Sequence, residues 1–340
     1  MSTYKGASYQ QDVILELTNQ ANVFKYGPGF SGFDNNDTLV DILGKSHVQP
    51  DFLLLAHSWL PDSNANPFFL PNCDFNVAAI PMVAILNKEY VNLKNKISYL
   101  KGNKCRLIFS HHHDAKTIGH SNHLPAVFWP FAYDEKKIVR SRIPRPITLG
   151  FSGILKNQLS GAEQTDSRLR VMQEIFVCWN DLPIRKRSEY ADLTFFWNAM
   201  PRTAKRNSRL WGQRLQKCIF PKYGYHYLED TQYFEVLSKS KLFFNSLSPM
   251  GLIGPRFFET MASGAVVVAE RESAYREVFP DGVLIQFDEN LSNFSSLVKD
   301  IANDDEKWRE MSSKGRGLVF KHHQWRHRVR DLIGRLSKLG

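Results

Sequence analysis

Short continuous apolar runs alternate along the chain with stretches whose apolar residues recur at helical spacing, the pattern of a parallel α/β fold. In the first half the runs are VFKYG (23–27), DFLLLAH (51–57), IPMVAIL (80–86) and CRLIFSH (105–111). They are unbroken rather than alternating, as strands buried on both faces are. Residues 10–20 before them and 37–46 and 87–101 between them have helical periodicity, and Leu86, Tyr90, Leu93, Ile97 and Leu100 make the clearest stripe. A second series of strand candidates follows at 144–153, 192–200, 241–247, 265–270 and 283–288, again separated by helical stretches.

A chain of 340 residues exceeds one hydrophobic core, so two domains are expected. Pro144 and Pro146, after the charged run DEKKIVRSR, mark the linker. The division expected is 1–143, then 144–322, each a Rossmann-like doubly wound domain, with 323–340 as an amphipathic helix packing back on the first. In that tail Trp325, Val329, Leu332, Ile333, Leu336 and Leu339 share a face, and Arg326, Arg328, Arg330, Arg335 and Lys338 lie mostly elsewhere. The apolar face packs on the protein itself, or else the helix lies on an anionic membrane surface. No internal repeat or low-complexity tract is present.

Composition narrows the partners. Apolar residues make 43% and charged residues 23%, an ordinary globular balance, while the net charge of +10 favours anionic partners. Nucleotide phosphates, a phospholipid face, an acidic glycan or nucleic acid all fit that charge. Nucleic acid is not expected, because no basic motif interleaved with aromatics appears. No apolar run approaches the roughly 20 residues of a membrane span, and MSTYKGASYQQDV has no apolar signal core. Cys73, Cys105, Cys178 and Cys218 are dispersed with no CxxC pair, which suits reduced thiols. The expected compartment is the cytoplasm, with the inner face of a membrane as a peripheral site.

The most informative stretch is SKLFFNSLSPMGLIGPRFFETMASGAVVVAE (240–270), which reads as strand, glycine loop, helix and strand. Gly251 and Gly254 allow a tight turn and close approach of a ligand to the backbone. Pro255 suits a first helical turn and Gly264 a helix stop. The helix start would offer N–H groups and a positive dipole end to a diphosphate, with Arg256 adding a cation. Glu259, one turn on, has two oxygens for the two vicinal hydroxyls of a ribose. The plainer reading makes Glu259 a favourable first-turn acid and the glycines mere loop formers.

On these residues the chain resembles group-1 glycosyltransferases of the GT-B fold, particularly the CgeB-like branch. The match rests on GPRFFETMASGAVVVAE (254–270), FPDGVLIQFDE (279–289) and FKHHQWRHRVRDLI (320–333). In the first half it is carried by YGPGFSGFDNNDTL (26–39), PDFLLLAHSW (50–59), LNKEYVNLKNKISYLK (86–101) and WPFAYDE (129–135), so it covers nearly the whole chain. The resemblance implies two Rossmann-like domains facing a cleft, with a nucleotide-sugar donor on the second and a glycan or lipid-linked glycan acceptor on the first. It implies hexosyl-type transfer, as in building a surface polysaccharide, without a metal or other cofactor. Glu259 would hold the donor ribose; Gly153, Gly251, Gly254 and Arg256 would line the diphosphate. Two departures stand out. Gly251 occupies the position, eight residues before Glu259, where many retaining members carry another Glu, so a retaining or inverting outcome is not carried over. The N-terminal segment is also too short and polar to supply the usual opening strand.

The remaining candidates are HHHD (111–114) and His57, at the ends of strand candidates. Strand alternation puts His111 and His113 on one face, about 6.5–7 Å apart at Cα. Their spacing to His120 or His123 matches no standard metal signature, so no metal site is expected. At the carboxyl edge of a sheet they could supply a base, phosphate donors or loop hydrogen bonds. His57, His111, His113 and Asp114 are the alternatives for an acceptor base. The rival functions are a nucleotide-sugar epimerase of the same fold and a non-catalytic glycan-binding protein that kept it.

Overall fold

A computed structural model describes residues 8–27, 29–47, 49–56, 73–86, 92–139, 144–155, 167–179, 182–201, 228–248 and 251–339. The chain divides into two compact units, residues 1–132 with 323–340, and residues 133–322. The break falls upstream of the two prolines, and Ile138 packs against a core cluster of the second unit.

The first unit runs α1 (Ser8–Gln20), α2 (Leu39–Ser46), β1 (Leu53–Leu55), β2 (Met82–Leu86), α3 (Leu93–Gly102), β3 (Leu107–Ser110), α4 (Ala115–Ser121) and β4 (Ala126–Phe128). The strands form a parallel sheet in the order β1-β2-β3-β4. Every residue of β2 is buried, which explains its unbroken apolar sequence. Met82, Ala84 and Leu86 pack with Ile97 and Leu100 of α3 and with Leu39 and Ile42 of α2. Thr38 starts α2 through a capping box with Asp41.

Two expectations need correction here, and one strand was not expected. VFKYG forms no strand: Phe24 is 43% exposed, and the Tyr26 hydroxyl is tied to the Asp37 carboxylate and the Asp34 carbonyl. A run interrupted by Lys25 and facing water on one side cannot be a doubly covered strand. The helical stripe begins too early, because Leu86 closes β2 and the helix starts only at Leu93. β4, three half-buried residues, was too short to register as a strand signal.

The second unit contains β5 (Ile147–Leu155), α5 (Ser167–Ile175), β6 (Phe176–Trp179), β7 (Leu182–Lys186), β8 (Phe195–Pro201), α6 (Asp230–Lys239), β9 (Ser240–Phe244), α7 (Pro255–Ala262), β10 (Val266–Glu270), β11 (Leu284–Phe287), α8 (Phe294–Asn303) and α9 (Asp305–His322). Its main sheet is parallel in the order β11-β10-β9-β5-β8, and β6 and β7 make a separate antiparallel pair. The first strand of the unit thus lies between the second and the third. The order reverses between β5 and β9, and such a reversal opens a crevice at the carboxyl ends of the two strands. Leu242 and Phe244 of β9 face a cluster containing Leu169, Met172 and Ile175 of α5. Phe243 faces the other way, onto Phe234 and Leu237 of α6. The sheet is therefore covered on both faces, as its continuous apolar strands require.

The last helix, α10 (Trp325–Leu336), belongs to the first unit. Trp325, Val329 and Leu332 are buried, and the Trp325 ring centroid lies 5.9 Å from that of Trp129. Trp129 Nε1 donates to the Arg328 carbonyl at 3.0 Å, Arg328 Nε to the Pro130 carbonyl at 2.8 Å, and Gln20 Nε2 to the Arg326 carbonyl at 3.1 Å. The apolar face of α10 is thus covered by the protein itself. Among the described residues no helix is long and apolar enough to cross a membrane.

Candidate functional site

The reversal in the second sheet gathers most of the residues singled out above. Register pairs Gly150 with Phe243, which brings Ser152 on β5 level with Asn245 just past β9. Gly150 has no room for a side chain, because an added Cβ would lie 2.6 Å from the Phe243 ring. The chain then turns through 245–254 into α7. Buried Asn245 fastens this loop: its amide N–H bonds the Val268 carbonyl at 2.9 Å and its Nδ2 donates to Thr260 Oγ1 at 2.9 Å. Ser248 folds the loop back on itself, accepting from the Gly251 amide at 2.9 Å and donating its own amide to the Leu252 carbonyl at 3.0 Å. Gly251 sits at φ 76°, where a side chain is strained, and Leu252 and Ile253 anchor the loop in the core.

Gly254 is different in kind. It is the N-cap of α7 with φ −74° and ψ 169°, a conformation open to any residue, and an added Cβ would meet nothing within 4 Å. Neither backbone nor packing demands a glycine there. What a bare Cα does provide is close access to the start of α7. Pro255 follows as the first helical residue, and Gly264 at φ 79° ends the helix.

Two arginines reach the same edge from opposite faces of the sheet. Arg256, from the first turn of α7, donates Nη1 to the Ser152 carbonyl at the end of β5. Its guanidinium lies 2.8 Å from where a Cβ on Gly153 would stand, so Gly153 makes room for Arg256. Arg168, from the start of α5, donates Nε to Ser246 Oγ at 2.7 Å. Sequence reasoning missed Arg168, since its link to Ser246 spans 78 positions.

Glu259 is half-buried, and its Oε2 accepts from the Tyr233 hydroxyl of α6 at 3.1 Å. Burial, and then the neighbouring Glu259 charge, hold the Tyr233 phenol well above its usual range, so its O–H stays a donor. Tyr233 also escaped the sequence reading, because it looks like one more apolar residue of a helix. Gly153, Gly251, Gly254, Arg256 and Glu259 therefore all lie on the carboxyl-edge segments of one unit, joined by Arg168 and Tyr233.

The histidines fall out differently. His57 lies outside the described residues. His111 is a core side chain, 1% exposed, with ring centroids 3.8 Å from Phe131 and 5.4 Å from Trp129. Its Nδ1 is 2.7 Å from the Trp129 carbonyl, an acceptor only, so the proton sits on Nδ1. Burial above all, with Arg328 nearby, pulls its pKa down to about 3 against the opposing Trp129 bond. The expected sharing of a face by His111 and His113 fails, because β3 ends at Ser110 and strand alternation ends with it. His113 stacks instead on His112, ring centroids 4.5 Å apart. Ligand atoms of His112, His113 and Asp114 lie within 4.8 Å of one another, so this trio could hold a metal ion. His112 Nδ1 already accepts from the Asp114 amide at 3.1 Å.

Residues 186–334 match a family model described as Glycosyl transferase-like, a span that includes Tyr233, Gly254, Arg256 and Glu259. No curated protein matches the chain in sequence. In fold it is similar to a glycosyltransferase from Rickettsia africae ESF-5, with TM-score 0.59 and 10% identity over 99% of this chain and 96% of that one. Sucrose-phosphate synthase from Thermosynechococcus elongatus gives 0.54 and 11%, over 77% of this chain and 68% of that one. Anabaena HepE, solved in complex with UDP-glucose, gives 0.52 and 11%, over 77% and 74%. The chain thus has the Rossmann-like α/β architecture of GT-B glycosyltransferase structures, and residues 186–334 are similar to the Glycosyl transferase-like family.

Proposed function

We propose that the protein is a glycosyltransferase of the CgeB-like branch that takes a hexosyl-type sugar from a nucleoside-diphosphate donor bound to the second unit. The observation that carries this reading is Gly254 beside Arg256: a glycine required by neither conformation nor packing, at a helix start, next to a cation at the sheet reversal. A helix N-terminus with approachable backbone favours phosphate, and Arg256 and Arg168 add donors matched to it. Glu259 would accept from the ribose hydroxyls. HepE, of similar fold, has been solved with UDP-glucose and with UDP, which supports the donor class.

In the reaction the bond between the sugar's anomeric carbon and the β-phosphate oxygen breaks, and its electron pair stays on that oxygen. A new bond forms from the acceptor hydroxyl oxygen to the anomeric carbon, and the hydroxyl proton passes to a base. The two guanidinium groups and the α7 dipole stabilise the charge that grows on the leaving diphosphate. His113 and Asp114, past the carboxyl end of β3, are the residues we assign to acceptor activation; buried His111 is too enclosed for that role. A glycan or lipid-linked glycan is the proposed acceptor, and the chemistry needs no metal.

Thermal-shift titration with ADP, CDP, GDP and UDP tests the donor, followed by assay of the matching sugar nucleotides for slow transfer to water, which needs no acceptor. At least one diphosphate should raise the melting temperature and be released from its sugar nucleotide. Stabilisation by none of the four would sink the reading.

A further inference from the structure

Arg256 and Glu259 stand one turn apart on α7, a spacing at which opposite charges on one helix face are natural partners. They turn to different partners instead. Arg256 donates to the Ser152 carbonyl, and Glu259 accepts from Tyr233 at 3.1 Å. The Tyr233 ring lies beside both, with the Arg256 guanidinium carbon 6.0 Å from its centroid. The ring is set by the core: it meets Phe243 edge-on at 6.4 Å and 80°, and Phe234 at 5.2 Å and 62°. Packing alone would be served by phenylalanine. The hydroxyl adds one thing, a hydrogen bond to the carboxylate that the donor reading assigns to the ribose.

We propose that Tyr233 is the positioning residue of ribose recognition: it holds Glu259 away from Arg256, leaving the carboxylate set for the sugar hydroxyls and the guanidinium for phosphate. The inference rests on the donor site described under Proposed function. With the hydroxyl removed, Glu259 loses that hydrogen bond and can turn towards Arg256, one turn away on α7. Discrimination between ribose and deoxyribose should then collapse, while the fold, supported by the retained ring, should not.

The test is calorimetric titration of the wild type, Tyr233→Phe and Glu259→Gln with ADP, CDP, GDP and UDP and with their 2′-deoxy counterparts. For its best nucleotide the wild type should prefer the ribo form by about ten-fold or more, the worth of a hydrogen bond to a charged group. Tyr233→Phe should bring that ratio towards one with a melting temperature within a few degrees of wild type. In the Glu259→Gln background the Tyr233→Phe change should leave the ratio where it is. A ratio lost in Glu259→Gln but kept in Tyr233→Phe overturns the role of Tyr233 and leaves the donor site standing. A further fall in the ratio on adding Tyr233→Phe to Glu259→Gln overturns it as well, since Tyr233 would then act by another route. A wild type without ribo preference overturns the ribose assignment of Glu259, and the inference with it.

Discussion

Gly254 gives the sharpest test at the scale of one residue. Replacing it with valine adds a side chain where a Cβ meets nothing, so the fold should tolerate the change. Valine is a poorer N-cap, which costs about 1 kcal/mol, or a melting shift of about 2–4 °C for a domain of this size. A branched side chain at the start of α7 should nonetheless block the diphosphate, and affinity for the best nucleoside diphosphate should drop by at least ten-fold. Unchanged affinity would show that no ligand approaches that backbone. His111 makes a second prediction, on pH. Its folded pKa of about 3 lies below the ordinary 6.5, so between these values the unfolded chain binds a proton that the folded unit refuses. The stability it contributes is therefore complete above pH 6.5 and is lost as pH falls towards 3, by about 1.4 kcal/mol per unit. His111→Phe, which keeps a ring against Phe131, should lower stability at neutral pH by about 0.5–1.5 kcal/mol for the hydrogen bond lost at the Trp129 carbonyl. It should also flatten the slope of chemical-denaturation stability between pH 6.5 and 4.5. A slope equal to that of the wild type would assign acid sensitivity to other groups. Arg256 and Glu259 were legible in the sequence because loop, helix start and carboxylate are contiguous there. The face expected for His111 failed because β3 ends at Ser110, one residue before it, and nothing in the run CRLIFSH marks where strand alternation stops.

Elements matter because the site is assembled from three of them. α7 brings Arg256 and Glu259, α6 brings Tyr233, and α5 brings Arg168 from the opposite face of the sheet. Such convergence is invisible to local pattern reading, which is why Arg168 and Tyr233 went unnoticed while the strand–loop–helix around Gly254 stood out. The same limit hid the β6–β7 pair, where Pro183 and a bulge between Val177 and Cys178 break any regular period. If both arginines face the diphosphate, Arg168→Ala and Arg256→Ala should each weaken nucleoside-diphosphate binding by about ten- to hundred-fold, the value of a charge-assisted bond. The free nucleoside should lose little in either variant, because it lacks the phosphates. Lysine at either position should restore only part of the loss, since an ammonium cannot offer two parallel donors. Equal losses for nucleoside and diphosphate would mean that the arginines shape the site and do not touch the ligand.

At the scale of the whole molecule, charge and topology meet in the same places. The chain carries a net charge of +10, and its last helix returns to the first unit through Trp325, Arg328 and Arg326. That return covers the apolar face of the amphipathic tail within the first unit. At the sheet reversal the cations are Arg168 and Arg256, whose guanidinium groups offer paired donors that match a phosphate. The groups gathered there are Arg168, Arg256, Asn245, Ser246 and the glycine backbone, with Glu259 turned to Tyr233. A divalent ion on a diphosphate is usually held by carboxylates; on the donor reading proposed above, Arg168 and Arg256 take that part. Release of nucleoside diphosphate from the working sugar nucleotide should therefore persist in excess EDTA, at a rate within about two-fold of the untreated enzyme. Added magnesium should not restore the rate lost in Arg256→Ala if the guanidinium, and not a metal, neutralises the diphosphate. The opposing result is equally concrete. Activity abolished by EDTA, recovered with zinc or manganese, and absent in His112→Ala and His113→Ala would place the chemistry at the His112–His113–Asp114 trio, whose ligand atoms already lie within 4.8 Å of one another. The arginines would then be binding residues for a reaction driven elsewhere in the chain.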